Sequence, residues 1–287
     1  MTTVNQMLKG WARAHGNPPY WLVEKDYALS YLLAGIMRVD DLRDGLLLKG
    51  GTALKKAYFP GYRFSEDLDF SIRPDKKLGD TDTLIHRAVA ECEQLLQERG
   101  AFLVTWQRLE LRLPHPGGQD AFVVRVQFPG QRQPFCRLKV KVTHDELVLF
   151  PSFKRSLLHG FPENMTVSLN CYSLEEIAAE KLRALLQSRM RLSERGWGAS
   201  RVCRDYYDLW RIFGERELNR LQFIKNLARK CEHREMEFES AMTFFDPAIV
   251  KVAERQWARQ LSPFVPDPPA AGRVLRDLQS MILELWG

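Results

Sequence analysis

Two aspartates on one short alternating segment, preceded by a Gly-Gly-Thr turn, constrain this chain more than any other feature. Along Asp67-Leu68-Asp69-Phe70-Ser71-Ile72, polar and apolar residues alternate at period two, which predicts a strand with one buried face. Leu68, Phe70 and Ile72 then point into the core, and Asp67, Asp69 and Ser71 point to the other side. Two carboxylates so placed repel each other unless a cation sits between them. Magnesium takes oxygen ligands, commonly one or two carboxylates plus substrate phosphates. Held there, it neutralises charge on a transferring phosphoryl group and activates an attacking hydroxyl. The plain alternative is the solvated side of an edge strand, and a bare Asp-X-Asp does not separate the two.

The preceding segment narrows the choice. Leu46 to Leu48 form a short apolar run, and Ala53 to Phe59 read as a helix with Ala53, Leu54, Ala57 and Tyr58 on one side. Between them, Gly50 and Gly51 let the backbone approach a ligand and adopt turns closed to other residues. The free N–H groups and dipole of a following helix favour phosphate. Thr52 adds a hydroxyl or caps that helix. An ordinary strand-to-helix turn is the competing reading. Asp67 lies sixteen positions after Gly51, room for one helix and a return strand. A phosphate cradle and a metal grip are thus expected on neighbouring strands.

Two constellations lie downstream. Ser173-Leu-Glu-Glu176 fits a capping box. The helix it opens carries Leu174, Ile177, Ala178, Leu182 and Leu185 on one stripe, with Lys181 in its middle. A lysine there either snorkels to water or meets an anion. In Arg204-Asp-Tyr-Tyr-Asp-Leu-Trp-Arg211, helical spacing puts Asp205, Asp208, Leu209 and Ile212 on one face. Acids on an apolar face need partners, and Lys181 and nearby arginines are the candidates. A structural salt bridge is the preferred reading of Asp208. For Asp205, that role and one of orienting Lys181 or a substrate group stand side by side.

Lys49-Gly-Gly-Thr52, Arg63-Phe-Ser-Glu-Asp-Leu-Asp-Phe70, Glu175 to Leu185 with its Glu-Lys-Leu, and Arg204-Asp-Tyr-Tyr-Asp-Leu209 occur in that order. Together with Glu24-Lys-Asp-Tyr27, this set resembles the AbiEii/MenT-type nucleotidyltransferase toxins of bacterial toxin–antitoxin and phage-defence systems. The resemblance implies an α+β fold, a polymerase-β-like nucleotidyltransferase core with a mixed sheet, and a helical C-terminal lobe. It implies addition of nucleotides, often pyrimidines, from an NTP to the 3′ acceptor end of tRNA, which stops translation, and a cognate antitoxin as partner. Asp67 and Asp69 would bind Mg2+. Lys49, Gly50, Gly51, Thr52, Arg63, Ser65 and Lys181 would contact the nucleotide, with Asp205 near Lys181. Ser65 matches a serine that an antitoxin phosphorylates in some relatives, and phosphate there would set negative charge against Asp67.

One position departs from the pattern. Many relatives carry a third acid on a later strand, where Arg137-Leu-Lys-Val-Lys-Val-Thr143 has Lys141. Lys141 shares a face with Lys139 and Thr143, so three strand carboxylates around two metals are in doubt. Contact with phosphate or RNA, or protection of a strand edge, are the roles open to it, and Asp145 and Glu146 follow closely. Two rival functions stay in view: a nucleotidyltransferase acting on a protein or small molecule, and a binding protein that has lost catalysis.

At 287 residues the chain has room for a good core in one bilobed unit or two small domains. Residues 1–160 are expected to form the core with N-terminal helices, and 161–287 a mainly helical lobe. Helices are expected over 1–42 (amphipathic from Asp26 to Met37), after Thr52, near 81–99 and from about 173 onward, broken at Pro263 to Pro269. Strands are expected at 46–49, 67–72, 101–113, 121–128 and 136–149, with a loop at Pro114 to Gly118. No apolar run is long enough to span a bilayer and no signal-peptide core is visible, so a cytoplasmic enzyme with no membrane partner is expected. The five cysteines show no Cys-X-X-Cys pair and no histidine at zinc-ligand spacing, which predicts packed, reduced thiols and no zinc.

The formal charge is +6, and it is concentrated. From Lys181 to Arg234 there are fourteen lysines and arginines against six acids. Arg189, Arg191, Arg195 and Arg201 flank Gly196-Trp197-Gly198. Arginines with an aromatic hold phosphates and stack on bases, and the end of tRNA is single-stranded. The alternative is a solvated basic face with Trp197 packed inward. If RNA binds here, reversing charge at Arg191 and Arg195 weakens it. The slope of log affinity against log salt then flattens by about 0.7 per lost phosphate contact. Unchanged RNA affinity in a filter-binding titration of the double variant would exclude the site.

Overall fold

The structure, a computed structural model, describes residues 3–110, 117–215 and 219–287. It divides into one unit of Met1–Val148 with Ser152–Tyr172, and another of Leu149–Pro151 with Ser173–Gly287.

The first unit is built on the alternation seen at 67–72. Its elements are α1 (Val4–Ala14), α2 (Tyr20–Arg38), α3 (Asp40–Gly45), β1 (Leu46–Lys49), α4 (Gly50–Ala53), β2 (Asp67–Ile72) and α5 (Thr81–Gln97). They are followed by β3 (Leu103–Arg108), β4 (Gln119–Gln127), β5 (Cys136–Thr143), β6 (Ser152–Ser156) and β7 (Ser168–Tyr172). The seven strands form one mixed sheet in the order β3-β4-β5-β2-β1-β7-β6. β2 runs antiparallel to β1 and parallel to β5. The register sets Leu48 beside Phe70, and Leu68 and Phe70 beside Val140 and Val142. These five side chains are all buried. Burying each one contributes about 1.5–3 kcal/mol.

α2 differs from the expected amphipathic helix. From Leu22 to Met37 every residue but Lys25 is buried, because α1, α3, α5 and β5 all pack against it. Its polar groups find partners inside. Asp26 meets the Lys56 ammonium at 2.9 Å, and Gln131 Nε2 donates to Glu24 at 3.0 Å. β5 stops at Thr143 rather than reaching 149. Its neighbour β2 ends at Ile72, and the next amides, His144 and Asp145, turn to donate to Gly118 and Gly117 carbonyls. β3 covers 103–108 of the strand expected over 101–113, whose end lies outside the described residues, as does the loop expected from Pro114 except Gly117 and Gly118. β6 and β7 are strands that the sequence pattern did not reveal.

The second unit holds α6 (Leu174–Arg195), α7 (Val202–Glu215), α8 (Arg220–Glu232), a 3-10 turn at Ala241–Phe245, α9 (Pro247–Leu261) and α10 (Ala271–Trp286). Ile177, Leu182, Leu185, Leu209, Ile212, Phe223, Ile249 and Leu278 fill its core. The proline-rich break lies between α9 and α10, where Trp257 Nε1 donates to the Pro269 carbonyl at 2.7 Å. Ser173 caps α6 by accepting from the Glu176 amide at 3.1 Å, as expected. The reciprocal half of the box is replaced. Glu176 accepts instead from the Leu149 and Phe150 amides at 2.9 Å and pairs with Lys230, which also lies 3.4 Å from Glu180.

Five cysteines are free and buried. Burial pushes the Cys136 and Cys171 thiols up to about 12, and those of Cys203 and Cys231 up to about 11. Among the described residues no helix is long and apolar enough to cross a membrane.

The buried Glu176–Lys230 pair makes a stability prediction. Burial raises the Glu176 carboxyl above its usual range, and Lys230 opposes that rise. Lys230→Met leaves the carboxylate uncompensated, which costs about 3–5 kcal/mol at neutral pH. A folded-state value raised above the unfolded one means that the native state takes up the proton first as pH falls. The loss is therefore smaller at pH 5 than at pH 8 in urea denaturation of both chains. A loss independent of pH would contradict this account.

Candidate active site

The site grows from the register of three strands. Asp67 and Asp69 face the same side of β2, with Lys49 of β1 opposite Asp69 and Lys139 and Lys141 of β5 beside Asp67 and Asp69. Lys141 Nζ reaches across and lies 3.1 Å from Asp67 Oδ2 and 3.1 Å from Asp69 Oδ1. The acids thus share one ammonium. Asp69↔Lys141 pairing also fixes the register, so neither Asp145 nor Glu146 takes that place.

The glycine turn packs onto the same acids. Gly50 has φ +70°, the left-handed region that favours glycine, and a Cβ there would lie 3.3 Å from Asp69 Oδ2. A Cβ on Gly51 would lie 2.6 Å from Arg63 Nη2 and 3.3 Å from Ser65 Oγ. Arg63 is buried, and its Nη1 donates to the Phe64 carbonyl at 3.0 Å. The buried Thr52 hydroxyl shares its proton between Ser65 Oγ, 2.8 Å away, and the main-chain carbonyl of Asp67. Thr52 therefore ties the turn to the start of β2. The helix it opens continues from α4 into a single π turn over Leu54–Tyr58. Lys49 is buried, 3.6 Å from Glu146 and over the Tyr172 ring at 5.7 Å.

The N-terminal Glu24-Lys-Asp-Tyr27 segment gains a physical role that the sequence reading had not assigned. Asp26 sits 2.9 Å from Lys56 and 3.8 Å from Lys55, both on the π turn that follows the glycines. Burial pushes the Lys56 ammonium down to about 8, with Asp26 opposing the shift. Lys25 meets Glu66, the neighbour of Asp67, at 3.3 Å. The helix thus braces both the turn and the start of the acid strand. No sequence signal pointed to this contact, because helical spacing sets Lys56 off the side shared by Ala53, Leu54, Ala57 and Tyr58.

In the second unit, Lys181 is buried on α6 and its Nζ lies 2.9 Å from Asp205 and 2.6 Å from the fully buried Asp208 on α7. The lysine on the apolar stripe meets anions rather than snorkelling. Gly196, at φ +73°, ends α6. Beyond it Trp197 is 66% exposed, which removes the inward-packed alternative, and the Arg195 guanidinium stands 6.0 Å from its ring. Arg191 and Arg201 are exposed nearby, and exposed Arg189 pairs with Asp246 at 3.0 Å.

The donor set fits a magnesium ion that takes two carboxylates and draws its other ligands from phosphates and water. Among the described residues no group of three or more His, Cys, Asp or Glu side chains is poised around one metal. The mixed sheet, its helices and an acid pair against a glycine turn fit a nucleotidyltransferase-like α+β fold. The family model described as "Nucleotidyl transferase AbiEii toxin, Type IV TA system" matches residues 31–281. The chain belongs to this family. Comparison with curated proteins gives no match.

Gly50→Ala forces a side chain into the left-handed region, at a cost of about 1–2 kcal/mol, and sets a methyl against Asp69. Chemical denaturation of the variant checks the loss. A variant as stable as wild type would show that the turn relaxes freely.

Proposed function

We propose that this chain is a magnesium-dependent nucleotidyltransferase that moves nucleotides from an NTP, a pyrimidine triphosphate by resemblance, to the 3′ acceptor end of tRNA. It would thereby stop translation as the toxin partnered by a cognate antitoxin. The observation that supports this most is the packing of Gly50 and Gly51 onto Asp69, Arg63 and Ser65. A glycine turn held that close to an acid pair leaves room for phosphates where side chains would intrude. In this reading the first unit is a polymerase-β-like core. Asp67 and Asp69 hold the metal, which when bound supplies charge neutralisation to the phosphates. Gly50, Gly51, Arg63 and Ser65 line the phosphate side. Lys49 and Thr52 brace it from within, since both are buried.

Lys181 is the phosphate-binding cation of the helical unit, and Asp205 is its positioning residue. Exposed Trp197 among Arg189, Arg191, Arg195 and Arg201 suits a single-stranded RNA end, by stacking a base and holding phosphates. A second reading, a binding protein without catalysis, draws support from Lys141 lying between the acids.

Purified chain with Mg2+, total tRNA and each labelled NTP in turn is expected to transfer label to RNA, and Asp69→Ala to abolish it by at least a hundredfold. Expression of Asp69→Ala should no longer arrest growth. Label on protein instead of RNA would move the acceptor. Equal growth arrest by wild type and Asp69→Ala would favour the second reading.

A further inference from the structure

The two sides of Asp69 are used differently. β2 lies between β5 and β1 in the sheet, so the acid pair has a β5 side and a glycine-turn side. On the β5 side, Lys141 Nζ holds Asp69 Oδ1 and Asp67 Oδ2, each at 3.1 Å. On the other side, Asp69 Oδ2 faces Gly50, whose missing Cβ would lie 3.3 Å away. The lysine is not a loose surface group. Its side chain is 17% exposed, and its strand pairs with β2 on one side and β4 on the other.

We propose that Lys141 is a built-in positive charge standing where a second divalent cation would otherwise sit, so that this site takes one metal ion, on the glycine-turn side of the acids. The inference rests on the reading of Asp67 and Asp69 as metal ligands. Paired metal ions in phosphoryl-transfer sites lie about 3.5–4 Å apart and share bridging carboxylates. Here one position of such a pair is filled by an ammonium already bonded to both acids. A second divalent ion would have to displace it from both, or sit against a like charge. An ammonium also differs from a metal in what it offers. It has three directed N–H donors and no open coordination position, so on its side it fixes the carboxylates and donates to an oxygen rather than ligating one.

The test counts Mn2+ by electron paramagnetic resonance on the full chain. The first arm has no nucleotide. Lys141→Met, which keeps the stem and removes the charge, binds Mn2+ at least tenfold more tightly than wild type, because the ammonium no longer competes for the same oxygens. Lys141→Gln serves in its place where the methionine variant does not fold, judged by circular dichroism. The second arm adds a non-hydrolysable analogue of each NTP. Wild type holds one Mn2+ per bound analogue, and Lys141→Asp holds two. Two Mn2+ on wild type, or one on Lys141→Asp together with unchanged affinity in the neutral variants, overturns the proposal and leaves the metal-ligand reading standing. Failure of every chain to bind Mn2+ in either arm overturns that reading, and this proposal with it.

Discussion

Negative charge gathered on one face of a strand has to be answered from a neighbouring element, and much of the first unit is organised by that demand. Asp67 and Asp69 share Lys141, Asp26 is met by Lys56 and Lys55, Glu66 by Lys25 and Glu146 by Lys49. Every one of these pairs joins segments distant in sequence. Buried and half-buried pairs of this kind add little to net stability compared with apolar packing, yet losing one partner of a buried pair is expensive. Their effect is to fix which lysine stands beside which acid. The helical unit repeats the device with Lys181 between Asp205 and Asp208, and Lys230 between Glu176 and Glu180.

Membership of the nucleotidyl transferase toxin family agrees with this arrangement, and the match at 31–281 takes in both acids, the glycine turn and Lys181. Within that match, Lys141 is the cation beside the acids. A lysine at the strand position next to Asp69 changes the charge of the site by two relative to an acid there. It also offsets one of the two negative charges of the resting acid pair.

How much could be read from the chain follows from the kind of signal each element carries. β2 was legible because period-two alternation is local: Leu68 and Phe70 are fully buried, and only Ile72, at the strand end, is half-exposed. Lys181 was legible because a charge on an apolar stripe demands an anion, and Asp205 and Asp208 supply it. α2 was not, since a helix covered on all sides has no polar face to give it away, and its Asp26 is buried against Lys56, a partner thirty positions away. β6 escaped because Ser152-Phe-Lys-Arg-Ser156 is an edge strand, mostly exposed and without alternation. β7 has only Leu169 and Cys171 as its inward pair, followed by Tyr172, whose hydroxyl donates to Ser71 across the sheet. The exposure of Trp197 was undecidable from sequence, because an aromatic between two glycines packs inward or outward with equal ease.

The thiols set how the chain meets oxidants. Reaction with peroxide requires the thiolate, and at neutral pH burial leaves Cys136, Cys171, Cys203 and Cys231 overwhelmingly protonated and walled off from water. Cys92 is pushed further in the same direction. Sulfenylation and glutathione capping are therefore disfavoured at these thiols for as long as the chain stays folded.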